Sequence, residues 1–244
     1  MEAVEPEIVR TMPLHAITEM YGEPGLRVRL EVEAQRLPER DRPVVAEALA
    51  LADELHGDDR RTREPYLNHL LRSAIRVLAY YRVEDVDVVV ATLLHDSVED
   101  HAPELAGRAA GSGEPTGRDI ADGLAVLAAR FGPRVADLVA AVTNPLPEEG
   151  IDRHEQYREH VAQSLAANPW ARVVKASDFT DNGVGLIYTL PERQAKLARK
   201  YRPVLPVLRE LIDRADTPLA DEVKRHIRDQ LDLARLRFDA ILSG

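Results

Sequence analysis

The chain of 244 residues lacks cysteine and has no long apolar run. Without cysteine, disulfides and cysteine-type zinc sites are impossible, and a reducing compartment is compatible with the composition. No apolar stretch approaches the roughly 20 residues that a membrane-spanning helix needs, so no membrane partner is expected. Met1 is followed by acidic residues and proline rather than by a basic stretch and an apolar core, which predicts no signal peptide. We therefore expect a cytoplasmic protein.

An excess of positive charge is also missing. Lysine and arginine number 32 against 42 aspartates and glutamates, which gives a formal net charge of −10. Such a field argues against a polymeric nucleic acid as partner. It leaves room for an anionic nucleotide, because a local basic cluster or a metal ion can reverse the sign of the field inside a cleft.

Helical periodicity is abundant. Apolar residues at 67, 70, 71, 74, 75 and 78 form one stripe, and comparable patterns run from Pro43 almost to the end of the chain. The predicted class is all-α. The alternation of apolar residues over 26–32 fits either a strand or a helix, and the N-terminal segment is expected to be short and irregular. A last helix is predicted from Thr217-Pro218, a cap residue and a first-turn proline, to about Leu242.

The chain is long enough for one large domain with small additions. We expect an N-terminal extension over 1–42, a central domain over 43–212, and a C-terminal helix within 213–244 that packs on the same domain. A stretch rich in glycine, proline and serine near 107–119 predicts a loop.

Four side chains of metal-ligand type stand in apolar, helical segments: His69, His95, Asp96 and Asp178. Two imidazoles and two carboxylates suit Mn²⁺, Fe²⁺, Zn²⁺ or Mg²⁺. Charge in an apolar segment is costly unless it is compensated, and a bound metal would compensate it. A lone His69 is better explained as a satisfied core histidine, and a His-Asp pair is common by chance. The full set indicates a metal-dependent enzyme that acts on a phosphate ester or anhydride.

Two further acids, Glu99 and Asp100, lie one helical turn beyond His95 and Asp96. A carboxylate in this position can orient or deprotonate an attacking water, so both are candidate catalytic residues. The alternative is an acidic helix end that is only solvated.

Candidate substrate contacts flank the same segments. Lys175 and Asn182 can share a helical face with Asp178, and the basic run over 60–63 lies shortly before His69. Guanidinium groups match phosphate oxygens, so this run is a candidate phosphate clamp. The alternatives are a snorkelling surface lysine, a residue that only ends a helix, and a solvated loop of charges.

The motifs carry a family resemblance over about 43–212. In order they are HGDDRRTREPYLNH (56–69), ATLLHDSVED (91–100), RFGPRVADLVAAVT (130–143) and VVKASDFTDN (173–182). This series resembles the HD-type hydrolase domain of RelA/SpoT proteins and the small stand-alone alarmone hydrolases. The resemblance implies an all-helical HD fold with one divalent metal, usually Mn²⁺, and removal of the 3′-pyrophosphate of (p)ppGpp by a water that the metal activates.

By matching position, the resemblance also implies roles for single residues. The implied ligands are His69, His95, Asp96 and Asp178. The implied water-activating pair is Glu99 and Asp100. Asn182 would contact the nucleotide ribose, and Arg60 and Arg61 would lie near the base and the phosphates.

Several positions depart from the family pattern. Arg63 stands where the family usually has glycine, Arg61 where it has lysine, and Val184 where it has arginine, while Phe179 lies in an altered segment after Asp178. The metal set is intact, so hydrolysis is better supported than guanosine specificity. A phosphohydrolase for another phosphorylated nucleotide and a silent nucleotide-binding sensor remain alternatives. A purely structural helical protein would not explain the convergent ligand types.

Overall fold

A computed structural model describes residues 4–109 and 114–243. The α-helices in this part of the chain are α1 (Pro6–Thr11), α2 (Leu14–Ala34), α3 (Arg42–His56), α4 (Leu67–Ala79), α5 (Val86–Leu93), α6 (Ser97–Leu105), α7 (Gly117–Phe131), α8 (Pro133–Val142), α9 (Arg153–Ala167), α10 (Pro169–Gly183), α11 (Pro191–Tyr201), α12 (Leu205–Asp213) and α13 (Asp221–Ser243). Short 3₁₀-helices occupy Glu39–Asp41, Val184–Tyr188 and Arg202–Val204.

The predicted all-α class is confirmed. Extended pairing among the described residues is limited to an isolated bridge between Arg60 and Pro65. None of the helices in the described ranges is both long enough and apolar enough to cross a membrane.

Helices α4, α5 and α10 form the centre of the fold and pack against one another. Every residue of α4 from Leu67 to Leu78 is buried, and so is every residue of α5 from Val88 to Leu93. Burying a leucine or valine side chain stabilises the fold by roughly 1.5–3 kcal/mol, so these helices supply much of the driving force for folding. Helices buried on all sides have no solvent-facing side for polar residues, so every polar group on them must find a partner inside the protein.

The N-terminal segment is helical, which corrects the expectation of an irregular extension. Leu26 and Leu30 are four residues apart and both buried. The apolar residues over 26–32, which fit either a strand or a helix, therefore belong to a helix. On the same helix, buried Arg29 and Glu33 form an ion pair with Nε and Oε1 2.9 Å apart. Arg29 also donates to the carbonyl oxygen of Val9, which ties α1 to α2.

The last helix begins at Asp221, so the predicted start at Thr217-Pro218 was wrong. Thr217 does not act as a cap, because its hydroxyl is used elsewhere. It donates to the carbonyl oxygen of Leu211 at 2.7 Å and accepts from Arg172 Nη1 at 2.8 Å. The helix packs on α10, α11 and α12.

The predicted loop near 107–119 falls partly outside the described residues, because 110–113 are not described. Its flanks at 107–109 and 114–116 are non-helical, and α7 begins at Gly117. The boundaries 1–42, 43–212 and 213–244 stay predictions.

Candidate metal centre and adjoining cleft

The central helices bring the four predicted ligands to one place. His69 lies on α4 and Asp178 on α10, and both are buried. His95 and Asp96 lie in the break between α5, which ends at Leu93, and α6, which begins at Ser97. Because two helices end and begin there, neighbouring side chains can turn toward one point.

The donor atoms converge to distances that suit one ion. His69 Nε2 lies 3.3 Å from His95 Nε2 and 3.4 Å from Asp178 Oδ1. His95 Nε2 lies 3.1 Å from Asp96 Oδ2 and 3.5 Å from Asp178 Oδ1. Ligands about 2.1 Å from a common ion are about 3.0–3.4 Å apart in octahedral or tetrahedral geometry. His69, His95 and Asp178 can therefore share one divalent ion, and Asp96 Oδ2 lies beside them, 3.1 Å from His95 Nε2.

Hydrogen bonds behind both imidazoles fix their tautomers. His95 Nδ1 lies 2.8 Å from the carbonyl oxygen of Thr92, which can only accept, so Nδ1 carries the proton. His69 Nδ1 lies 2.9 Å from Asp181 Oδ2 and donates to that carboxylate in the same way. In the neutral form of each ring, Nε2 therefore directs its lone pair into the cluster. This is the arrangement that metal-binding histidines usually have.

The electrostatics of the cluster favour a cation. Burial alone would lower the pKa of His95, but Asp96 and Asp178 raise that pKa well above its ordinary value. Burial would likewise raise the pKa of Asp178, but Lys175 and the two histidines hold it well below its ordinary value. Two carboxylates therefore stay ionised in the core, where an added positive charge stabilises them.

Both ligand carboxylates are held by neighbours. The Tyr66 hydroxyl donates to Asp96 Oδ2 at 2.7 Å. Lys175 Nζ lies 2.8 Å from Asp178 Oδ2, and Asn182 Nδ2 donates to Asp178 Oδ1 at 2.5 Å. Lys175 is only 5% exposed, which excludes the alternative of a snorkelling surface lysine.

A buried charge network supports His69 from behind. Asp181 accepts from Arg72 Nε at 2.8 Å and from Arg76 Nη2 at 3.2 Å, in addition to His69. Arg72 also makes a double contact with Glu64, at 2.7 Å for each nitrogen–oxygen pair. Burial alone would raise the pKa of Asp181, but Arg72 and His69 keep it well below its ordinary value. Asp181 is therefore an ionised acceptor that orients His69.

The two predicted catalytic acids have different surroundings. Glu99 accepts from the Asn144 side chain at 2.8 Å and from its backbone nitrogen at 3.2 Å. Asp100 keeps an exposed side chain. Partial desolvation, reinforced by the negative charges of Asp96 and Glu99, raises the pKa of Asp100 to about 7. Glu99 is thus held in place by hydrogen bonds, whereas Asp100 can take up and release a proton near neutral pH.

A cavity of about 1110 Å³ adjoins the cluster. Tyr66 and Asn182 line it and also contact the ligands Asp96 and Asp178. Arg61 lines it as well, and its Nη1 donates to Asn182 Oδ1 at 2.9 Å. Arg60 lines the same cavity with an exposed side chain. Other cationic side chains on its wall are Arg63, Arg72, Arg193 and Lys196.

The structure brings every predicted site residue into this region, and it adds residues that the sequence did not single out. Tyr66, Asp181 and Asn144 contact ligands or catalytic candidates directly. Only Asp181 had a recognisable sequence signal, an acidic residue three positions after Asp178 on the same buried helix. Phe179, which departs from the family pattern, is 1% exposed and packs on Tyr201 in the core. Phe179 therefore does not line the cavity itself, but it packs behind Tyr201, which does.

Comparison with known proteins finds relatives of this chain. A family model described as HD domain matches residues 48–167. The chain is 28% identical over 233 residues to a guanosine-3′,5′-bis(diphosphate) 3′-pyrophosphohydrolase of Aquifex aeolicus, covering 91% of this chain and 30% of the relative. It is 29% identical over 194 residues to a probable GTP pyrophosphokinase of Mycobacterium leprae, covering 76% of this chain and 21% of that protein.

Shorter relatives match over most of their own length. The MESH1 3′-pyrophosphohydrolase of Danio rerio is 29% identical over 153 residues, covering 61% of this chain and 72% of that protein. A solved structure of a metazoan ortholog of SpoT that hydrolyzes ppGpp superposes with a TM-score of 0.55 at 23% identity, covering 80% of this chain and 98% of that one.

The all-helical fold and the His/Asp cluster match what an HD domain is expected to have, and the family model for that domain covers 120 of the 244 residues. The predicted resemblance to the RelA/SpoT-type hydrolases is confirmed. The chain spans 21% of the length of the Mycobacterium leprae protein and 30% of the length of the Aquifex aeolicus protein, which is less than a third of either.

Proposed function

We propose that the chain is a metal-dependent phosphohydrolase that removes the 3′-pyrophosphate of (p)ppGpp. The observation that carries the proposal is the convergence of His69, His95, Asp96 and Asp178 beside an acid pair and a basic cavity. Related proteins named as 3′-pyrophosphohydrolases support the choice of substrate. Mn²⁺ is the proposed ion, since imidazole with carboxylate suits it.

The proposed division of labour follows the geometry. A divalent ion held by the four ligands would supply Lewis-acid charge and lower the pKa of a water molecule. Glu99, fixed by Asn144, would orient that water. Asp100 would accept its proton, because its pKa of about 7 matches the working pH of a general base.

The cavity suits a phosphorylated nucleotide. Its volume of about 1110 Å³ is at the upper end of small-molecule sites, and cationic side chains from three chain segments reach it. We propose that Arg60 and Arg61 contact the base and phosphates and that Asn182 contacts the ribose. Lys175 pairs with Asp178 in the core, so we propose that it acts on substrate only through this ligand.

The remaining expectations fit the same proposal. The catalytic unit would be 43–212, with 1–42 and 213–244 packed on it. The substrate would be a nucleotide and not a polymeric nucleic acid, in keeping with the net charge of −10. The proposed compartment is the cytoplasm, with which the absence of cysteine is compatible.

The test is pyrophosphate release from ppGpp by the metal-free chain, with Mn²⁺ added or withheld. We expect release that depends on Mn²⁺ and that falls roughly 100-fold or more in Asp96→Asn, because a loss of about 3 kcal/mol of transition-state stabilisation has that effect. Asp137→Asn is the matched control, since Asp137 is exposed. Equal rates in wild type and Asp96→Asn would reject the proposal.

A second candidate is hydrolysis of a different phosphorylated nucleotide. Arg63, which replaces the family glycine, has an exposed side chain on the cavity wall and adds charge there. Parallel assays with pppGpp, NADPH and simple nucleotides decide between the substrates by relative kcat/KM. A nucleotide that raises Tm without being hydrolysed in Mn²⁺ would instead identify a sensor.

A further inference from the structure

A second group of potential ligands lies outside the centre described above. It consists of His56, Asp59 and His101, here called the outer cluster. One donor atom from each residue lies within 4.8 Å of the other two. Asp59 Oδ2 is 2.8 Å from His56 Nδ1 and 2.8 Å from His101 Nε2. Two imidazoles and a carboxylate are again a donor set for a borderline divalent ion.

The elements of the fold hold the outer cluster in place. His56 is the last residue of α3 and is fully buried, and Asp59 lies in the turn that follows. His101 lies at a break inside α6, where its backbone leaves the helical region at φ −130° and ψ 26°. Two imidazole nitrogens from different helices thus meet one carboxylate oxygen of Asp59.

Hydrogen bonding between neutral side chains satisfies His101 poorly. If His101 Nε2 donates to Asp59, the lone pair on its Nδ1 faces Glu104 Oε2 at 3.9 Å, which is electrostatically unfavourable. An ion bound to His101 Nε2 would allow Nδ1–H to point at Glu104, as in carboxylate–histidine–metal arrangements.

Access and position also suit a metal. The side chains of Asp59 and His101 are 37% and 15% exposed, so solvent can complete the coordination of an ion bound there. The His56 ring stacks on Tyr66 with centroids 4.9 Å apart, and Tyr66 donates to Asp96. One aromatic ring therefore connects the outer cluster to the first centre, while the two donor sets share no residue.

We propose that His56, Asp59 and His101 form a second divalent-metal site, with Glu104 orienting His101. Such an ion would join the end of α3 and the turn before Arg60 to the break in α6. Because Asp100 directly precedes His101, the site would also fix the backbone that carries the acid pair.

The test counts metal ions. Metal-free chain is dialysed against Zn²⁺, and bound zinc is measured by elemental analysis. We expect about two ions per wild-type chain, about one in His101→Asn, and about one in Asp178→Asn, which removes a ligand of the first centre only. His154→Asn is the matched control, since His154 is exposed, and it should bind as many ions as wild type.

Equal zinc content in wild type and His101→Asn would overturn the proposal and leave only the contact between His101 and Asp59. A wild-type chain that binds one ion, lost in Asp178→Asn, would overturn it as well. Circular dichroism verifies the fold of each variant. Asp59→Asn, a change in a partly exposed turn, provides the same count if His101→Asn fails to fold. Cobalt-loaded protein adds a spectroscopic check, because the visible absorption of Co²⁺ changes when an imidazole ligand is lost.

Discussion

The sharpest prediction concerns Asp181→Asn, a change that keeps the side-chain volume but removes a buried charge. Asp181 accepts from Arg72 at 2.8 Å, from Arg76 at 3.2 Å and from His69 at 2.9 Å. Removing one partner of a buried ion pair costs about 3–5 kcal/mol. Arg72 retains its double contact with Glu64, so we expect the lower end, about 3 kcal/mol.

The same change weakens the metal site. His69 loses the anion that fixes its tautomer, and loss of such an outer partner lowers metal affinity by roughly 10–100-fold. A domain stable by about 5–15 kcal/mol stays folded after this loss, so both effects can be measured on one sample. Urea unfolding in chelator gives the stability change, and isothermal titration with Mn²⁺ gives the affinity change.

The matched control is Asp239→Asn. Asp239 pairs with Arg202 at 2.7 Å, but the two side chains are 37% and 55% exposed. Exposed pairs contribute about 0–1 kcal/mol, so this variant should be almost neutral and should bind Mn²⁺ normally. If Asp181→Asn lost no more stability than Asp239→Asn and kept its metal affinity, the supporting role of the buried network would be refuted.

Three further predictions test other parts of the structure. Burial lowers the pKa of His15 to about 4, so between about pH 6.5 and 4 the unfolded chain takes up a proton that the folded chain rejects. The free energy of unfolding therefore decreases by up to about 3 kcal/mol as the pH is lowered through this window. Urea titrations at pH 7 and pH 4.5 should show a smaller decrease for His15→Gln than for wild type. An equal decrease would contradict the lowered pKa of His15. Gly25→Ala places a Cβ 2.5 Å from Tyr21 Cβ and should cost about 1–3 kcal/mol, whereas Gly117→Ala, with open space around its Cβ, should not. In the His101→Asn background, which lacks the outer cluster, Mn²⁺ at about 100 times its Kd should stabilise the chain by about 2.7 kcal/mol, and adding Asp178→Asn should abolish this increase.

Sequence reasoning went furthest where one segment carries both pattern and chemistry. The stripe on α4 is a local feature that helical geometry converts directly into a buried face. His95 and Asp96 instead lie in the break before α6, the helix that carries Glu99 and Asp100. The ligand set required more, since His69 and Asp178 are 109 positions apart. In the sequence, only the order of the motifs and their resemblance to a known family indicate that His69 and Asp178 belong to one site.

The failures also have local causes. Thr217 looks like a cap, but its hydroxyl serves Arg172 and Leu211, so α13 begins four residues later. The apolar residues near Leu26 fit both the strand and the helix period. A pattern of apolar residues does not include Arg29 and Glu33, whose buried ion pair at helical spacing favours the helix. For Thr217, propensity cannot resolve the case, because Arg172 lies 45 positions away in the sequence.

The metal centre and the polar core of this fold are one connected structure. On α4, His69, Arg72 and Arg76 follow at intervals of three and four and face α10. On α10, Asp178 faces the ion site while Asp181, one turn later, lies behind His69. Since these ion pairs set how α4 packs on α10, they also set the distance between His69 and Asp178. Metal affinity and helix packing should therefore respond together to any change in this network.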